Sequence, residues 1–303
     1  MMQTKENPAR TTLGIQDLGS QLTASILAHH GVAVTVPPTG KYFRFNDKGR
    51  MGSGGPLWAF FDGLNAVHGD WRTGESHVIT NEDIDPAKAA EARRKADEAK
   101  RQYEKERRAK QAQVAAKCRD EWPMLLPAEP NHPYLVAKQV LAHNLRQKDN
   151  ALVVPLSDDD RLVNFQTILP DGAKRFRSGG RITGCYHPIG TITPDDPLLI
   201  CEGWATGAAL HEATGYAVAC SMNAGNLLPV CGAFRRRYPA QKIVVTADND
   251  HRNPAKGLPN TGLDKGQEAA RLIGAGLIWP NFNEGDEGTD YNDWLRDGGS
   301  IAL

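Results

Sequence analysis

Three groups of acidic residues between Leu198 and Leu295 sit at the ends of short apolar runs, and that repetition limits the folds open to this part of the chain. They are Pro197-Leu-Leu-Ile-Cys-Glu202-Gly203, Lys242-Ile-Val-Val-Thr-Ala-Asp248-Asn-Asp250 and Gly288-Thr-Asp290-Tyr-Asn-Asp293-Trp-Leu. Runs of β-branched and aliphatic residues bounded by Pro, Gly or Asp read as buried strands, and helical patterns lie between them. The alternation predicts βαβ units and a parallel sheet, hence an α/β fold. In such a sheet the residues just past the strand C-termini share one crevice. Glu202, Asp248 and Asp290, spaced by 46 and 42 residues, can therefore converge.

Carboxylates gathered without basic neighbours repel one another unless a cation sits among them, and a hard oxygen set suits Mg²⁺ or Mn²⁺. Glu202, at a strand-to-helix junction, is placed to ligate a metal or to act as a general base. Asp248 and Asp250, alternate residues past a strand, can share an ion, and Asp290 and Asp293 are candidates for further ligation. Asn223, Gly225 and Asn226 follow the strand ending near Ser221; glycine there allows close approach to phosphate, and Asn can donate hydrogen bonds. Asp264 and Lys265 open the helix after the next strand, within reach of the same crevice. Lys174, Arg175, Arg177 and Arg181 lie within eight positions among glycines, a density suited to neutralising phosphate charge.

The Glu-Gly closing one strand, the Asp-x-Asp closing a later one and the Asp-x-Asn-Asp before an apolar pair resemble the Toprim domain of bacterial-type primases, topoisomerases and some nucleases. Asp171-Gly-Ala-Lys174-Arg-Phe-Arg-Ser-Gly-Gly and Ser221-Met-Asn-Ala-Gly-Asn226 look like the Toprim primases of phages and plasmids. So does Pro133-Tyr-Leu, although Gln139 stands where that family usually has Gly. The resemblance covers about residues 123–303. It implies a DNA primase, a nucleotidyltransferase making short RNA primers on single-stranded DNA with Mg²⁺ or Mn²⁺. Glu202, Asp248 and Asp250 would be catalytic, the same three with Asp290 would hold metal, and the basic segment would face template and incoming nucleotide. The implied partners are a single-stranded DNA template, ribonucleoside triphosphates and a replicative helicase on a separate chain, since no Gly-x4-Gly-Lys-Ser/Thr run is present. Two other readings stay open: a Toprim nuclease, and a non-catalytic DNA-binding protein that kept the fold.

Ahead of this half the chain changes character. From Asp195 onward it carries 14 acidic and 9 basic side chains, net −5, so the remainder must carry +5. That asymmetry suits an enzyme that holds a polyanion mainly outside its metal site. Five cysteines form no Cys-x-x-Cys pair, which predicts reduced thiols and leaves no ligands for an N-terminal zinc ribbon; no zinc is expected. A mean hydropathy of −0.49 and a polar N-terminus predict a soluble, cytoplasmic chain with no membrane association.

In chain order, residues 1–82 read as a small strand-rich N-terminal domain in the position of a zinc ribbon. Leu18 to His30 is helical, and Asp47-Lys-Gly49 marks a turn between strands. Lys41, Arg44, Trp71 and Arg72, interleaved with Tyr42, Phe43, Phe45 and Trp58, are candidates for a surface that stacks bases and binds phosphates of single-stranded DNA; the plainer reading makes the aromatics the core of a β domain. Residues 83–122 are a charged helical linker. From Pro86 to Arg119 it has 12 basic and 5 acidic residues, with only Tyr103 and Val114 as larger apolar groups, which predicts a solvated projecting arm. Residues 123–194 form an antiparallel subdomain of the catalytic core, and residues 195–303 the Toprim-type parallel sheet flanked by helices.

Overall fold

The structure is a computed structural model that describes residues 15–36, 40–52, 55–62, 65–71, 73–80, 86–159, 161–283 and 285–302. It divides into two compact units, residues 1–108 and 109–303.

The first unit holds helix α1 (Ile15–His30), the strands β1 (Lys41–Phe45), β2 (Leu57–Phe61), β3 (Asn65–Asp70) and β4 (Ser76–Thr80), and the first part of helix α2 (Pro86–Glu121). The strands form an antiparallel sheet in chain order. Leu18, Leu22 and Ile26 recur one turn apart on α1 and bury against Phe43, Phe45, Leu57 and Phe61 on one sheet face. Tyr42, Trp58, Phe60 and Val67 occupy the other face. α1 stops at Gly31, whose φ of +66° suits a residue without a Cβ.

The expectation of a solvated arm is corrected here. Ala92 and Ala96 are buried against Tyr42, Trp58, Phe60 and Val67, with Ala99 and Tyr103 continuing the same stripe. The 92/96/99/103 spacing is that of one helix face, and alanine lets the helix approach the aromatic sheet closely. In the second unit, Val114 and Cys118 of α2 pack with Leu125, Val153 and Phe165. α2 is thus docked in both units, by small residues that carry little hydropathy signal.

The second unit has two sheets. Strands β5 (Leu126–Pro127), β6 (Arg146–Lys148), β7 (Ala151–Asp158), β8 (Arg161–Ile168) and β9 (Lys174–Phe176) form an antiparallel sheet in chain order, with α3 (Pro133–Lys138) between the first two. The other comprises β10 (His187–Ile189), β11 (Leu198–Cys201), β12 (Val218–Cys220), β13 (Ile243–Thr246) and β14 (Gly276–Ile278), in the order β10-β12-β11-β13-β14. All its neighbours run parallel except β10, an antiparallel edge strand. Helices α4 (Trp204–Thr214), α5 (Leu227–Arg237), α6 (Thr261–Ile273) and α7 (Tyr291–Arg296) complete it. Side chains alternate across the sheet. Leu198 and Ile200 of β11 face the core of α5 and α6, while Leu199 and Cys201 face Trp204 and Ala208 of α4. Both faces are covered, which is why β11, β12 and β13 read as unbroken apolar runs. The expected α/β class and parallel sheet are present. Among the described residues no helix is long and apolar enough to cross a membrane.

Candidate active site

The chain leaves β11 toward β12 on one side of the sheet and returns to β13 on the other, so the strand order reverses at β11. Ligand crevices open at such reversals, beyond the C-terminal ends of the strands. Cys201 and Thr246 are paired in register; Glu202 follows the first of these, and Asp248 follows the second after one residue. The adjoining loop is tied down by backbone bonds, Ser221 N to Cys201 O at 2.8 Å and Met222 N to Glu202 O at 2.7 Å.

Asp248 and Asp250 leave β13 in a loop held against the start of α6. The Gly262 N–H donates to Asp250 Oδ2 at 3.4 Å. A Cβ at Gly262 would stand 2.7 Å from Asp248 O and 2.9 Å from Asp248 Cβ, so only glycine lets the helix lie so close. Asp290 caps α7, accepting from Asp293 N at 3.0 Å. Asp293 itself is engaged elsewhere, by Lys138 Nζ at 3.2 Å and Thr289 N at 3.2 Å.

These acids interact. Burial raises the Asp248 carboxyl well above the usual carboxylate range, and Glu202, Asp290 and Asp250 push it further, with Lys174 opposing. Glu202 is raised as well, first by burial and then by Asp250 and Asp290, against the Ala224 N–H and Lys174. Asp248 Oδ1 is buried without a hydrogen-bond partner. A buried polar atom left unpaired amid like charges is costly, and a cation would relieve it. The donor set, all carboxylate oxygen, is that of a hard divalent ion. No three His, Cys, Asp or Glu side chains among the described residues are grouped so as to hold an ion unaided.

The basic segment is split. Alternate residues of a strand face opposite ways. Lys174 and Phe176 share one face; Phe176 packs on the core, and Lys174 Nζ lies 4.0 Å from where a Cβ on Gly203 would stand, beside the acids. Arg175 is exposed. Arg177 is drawn away to Glu121 and to Cys118 Sγ at 3.6 Å, and Arg181 pairs with Asp158 at 2.7 Å. Asn226 is buried and fully bonded, accepting from Gly184 N and donating to Cys185 O and Ser221 O, so it clamps the loop that carries Asn223 and Gly225. Asp264 is exposed, and Lys265 pairs with Glu268 at 2.7 Å. Two residues that the sequence reading passed over stand beside the acids: Asn249 and Asn260, whose amides bond to each other at 2.8 Å.

In the first unit the aromatics divide as core and rim. Tyr42 and Trp58 are buried and stacked, whereas Trp71 is 39% exposed. The Trp71 indole donates to Tyr42 Oη at 3.2 Å and lies under Lys100 Nζ at 3.7 Å and Arg44 at 5.6 Å. Lys41 is exposed, and Arg72 lies outside the described residues.

Residues 197–300 match the Toprim domain family. Over 207 residues the chain is 32% identical to a DNA primase TraC of Escherichia coli, covering 65% of this chain and 19% of that protein. A second TraC from the same organism is 30% identical over 165 residues, 52% of this chain and 11% of the other. The chain thus spans about a fifth or less of the length of these relatives. Among solved structures, the DnaG catalytic core overlaps 57% of each chain at 14% identity and a TM-score of 0.35. The resemblance to Toprim primases read from residues 198–295 is borne out.

Proposed function

We propose that this chain is a DNA primase that joins ribonucleotides on a single-stranded DNA template, as part of the replication of a plasmid or phage. One observation supports it above the others: Asp248, with a buried and unpartnered oxygen, stands among Glu202, Asp250 and Asp290, with Lys174 as the opposing cation. The carboxylates suit Mg²⁺ or Mn²⁺, which Glu202, Asp248, Asp250 and Asp290 would hold. Such an ion would lower the pKa of the attacking hydroxyl and offset charge on the leaving pyrophosphate.

The chain's own groups do the rest. Glu202 Oε accepts the proton of the attacking 3′-hydroxyl as the new bond to the α-phosphorus forms and pyrophosphate leaves; its raised pKa suits a base. Lys174 of β9 holds the triphosphate opposite the carboxylates, with Arg175 exposed on the other face of the strand. Asn223 and Gly225 line the crevice on the β12 side. Arg177, Arg181 and Asn226 support the walls through their protein partners. In the first unit, Trp71 with Arg44 and Lys100 offers an exposed ring framed by cations, the combination that binds single-stranded nucleic acid by stacking and charge, and Lys41 adds a further exposed cation on β1. A separate helicase would supply the template.

The test is primer synthesis on single-stranded DNA with labelled ribonucleotides and Mg²⁺ or Mn²⁺, for the wild type, Asp248→Ala and Glu202→Ala. Short products lost in both variants support the reading. Metal-dependent shortening of the template without products would make the site a nuclease. Neither activity, with DNA still bound, would leave a binding protein.

A further inference from the structure

The acids of the site sit on three segments that share no secondary structure, and two amides tie the Asp248–Asp250 segment to its neighbours. Asn249 lies between Asp248 and Asp250 and is 7% exposed. Its backbone N–H donates to Thr289 O at 2.6 Å, the residue just before Asp290. Its Nδ2 donates to Pro280 O at 2.8 Å. Its Oδ1 accepts from Asn260 Nδ2 at 2.8 Å. Asn260 in turn caps α6, with Oδ1 accepting from Asp250 N at 2.9 Å and Leu263 N at 3.4 Å. The amide orientations follow from the ends of the chain of bonds. Pro280 O can only accept and Asp250 N can only donate, so each side chain has one orientation that satisfies every partner. The two amides therefore fasten the Asp248–Asp250 loop to the start of α6 on one side and to residues 280–289 on the other. Neither amide carries charge, so both can stand beside four carboxylates without adding to their repulsion.

We propose that Asn249 and Asn260 are positioning residues, which fix the Asp248–Asp250 loop against the start of α6 and against Thr289 and so set where its carboxylates stand toward a divalent ion. This rests on the metal-dependent reading of the site. Removing Asn249's amide leaves Pro280 O and Asn260 Nδ2 without their partner, and of the two ties from Asn249 to Pro280 and Thr289 only the backbone bond to Thr289 O remains. Groups that orient metal ligands typically lose 10–100-fold in metal affinity when replaced.

The experiment measures Mn²⁺ affinity of the full chain by electron paramagnetic resonance, with no nucleotide present, beside thermal melting. Asn249→Leu, close in size and unable to hydrogen-bond, is expected to weaken Mn²⁺ binding by about tenfold or more. Asn260→Ser keeps an uncharged acceptor for the N-terminus of α6 and loses the amide donor to Asn249, so a smaller loss is expected at near-normal melting temperature. In the double variant the two losses should not add, because they break one network. If Asn249→Leu melts far below the wild type, Asn260→Ser, which keeps a neutral cap, decides alone. Wild-type affinity in properly folded variants overturns the inference and leaves the metal reading intact. A wild type that takes up no Mn²⁺ overturns both.

Discussion

His68 makes the first unit sensitive to acid, and the structure gives the size of the effect. The residue is fully buried on β3. Its Nε2 is 2.8 Å from Ser25 Oγ and its Nδ1 is 3.0 Å from His30 Nε2. The rings of His29 and His77 lie 5.5 and 5.0 Å away, centre to centre. Burial first, then His30, His77 and His29, lower its pKa from 6.5 to about 3. Above pH 6.5 both folded and unfolded chains hold it neutral. As pH falls below 6.5 the unfolded chain takes up a proton that the folded one refuses, so stability drops until about pH 3, where the folded imidazole is protonated too. The slope is about 1.4 kcal/mol per pH unit, hence about 2 kcal/mol between pH 6.5 and 5.0. For a unit of this size that is a fall in melting temperature on the order of 10 °C. His77, on the neighbouring strand, is lowered as well, by burial and His29 against Glu75, and adds in the same direction. The measurement is native-state hydrogen exchange of the β3 and β4 amides at pH 7.0, 6.0 and 5.0, for the wild type and His68→Gln. Glutamine can still meet Ser25 but does not titrate. The variant should lose about 1.4 kcal/mol per pH unit of the wild-type slope. Equal slopes in the two proteins would refute the assignment of the effect to His68.

Two further outcomes follow from single contacts. Gly262→Ala places a methyl group within 2.9 Å of Asp248 Cβ; a cost of about 1–3 kcal/mol in stability is expected for such overpacking, with a loss of Mn²⁺ affinity that exceeds what Gly266→Ala, also buried on α6 but packed on Ala247, produces. Trp71→Ala or Arg44→Ala should weaken single-stranded DNA binding by about 1–3 kcal/mol while Mn²⁺ affinity stays at the wild-type value, read by fluorescence anisotropy and metal titration on the same preparations.

What could be read from the sequence, and what could not, divides along physical lines. Glu202 and Asp248 were legible because they follow strand ends, and buried parallel strands announce themselves as unbroken apolar runs closed by polar residues; Asp290, read as closing a third such run, instead caps α7 well beyond the end of β14. The two-sided docking of α2 was hidden because alanine buries almost no side chain; Ala92 and Ala96 act by being small against Tyr42 and Trp58, a property of shape rather than hydropathy. The basic segment misled in a different way. Four cations in eight positions suggest one surface, but a strand turns alternate residues apart, so Lys174 meets the carboxylates while Arg177 turns to Glu121. Asn226, Asn249 and Asn260 show the limit most clearly. An asparagine in a loop looks the same in sequence whether it binds a ligand, as expected of Asn226, or bridges backbone carbonyls, as Asn226 and Asn249 do. The difference lies in which backbone donors and acceptors the fold leaves unpaired beside it. That is fixed by the crossing of β13, α6 and the 280–290 segment, which are far apart in the chain. Acids that close a buried strand, as Glu202 and Asp248 do, can be located from the sequence, whereas the groups that set the distances between them emerge only when the segments are brought together.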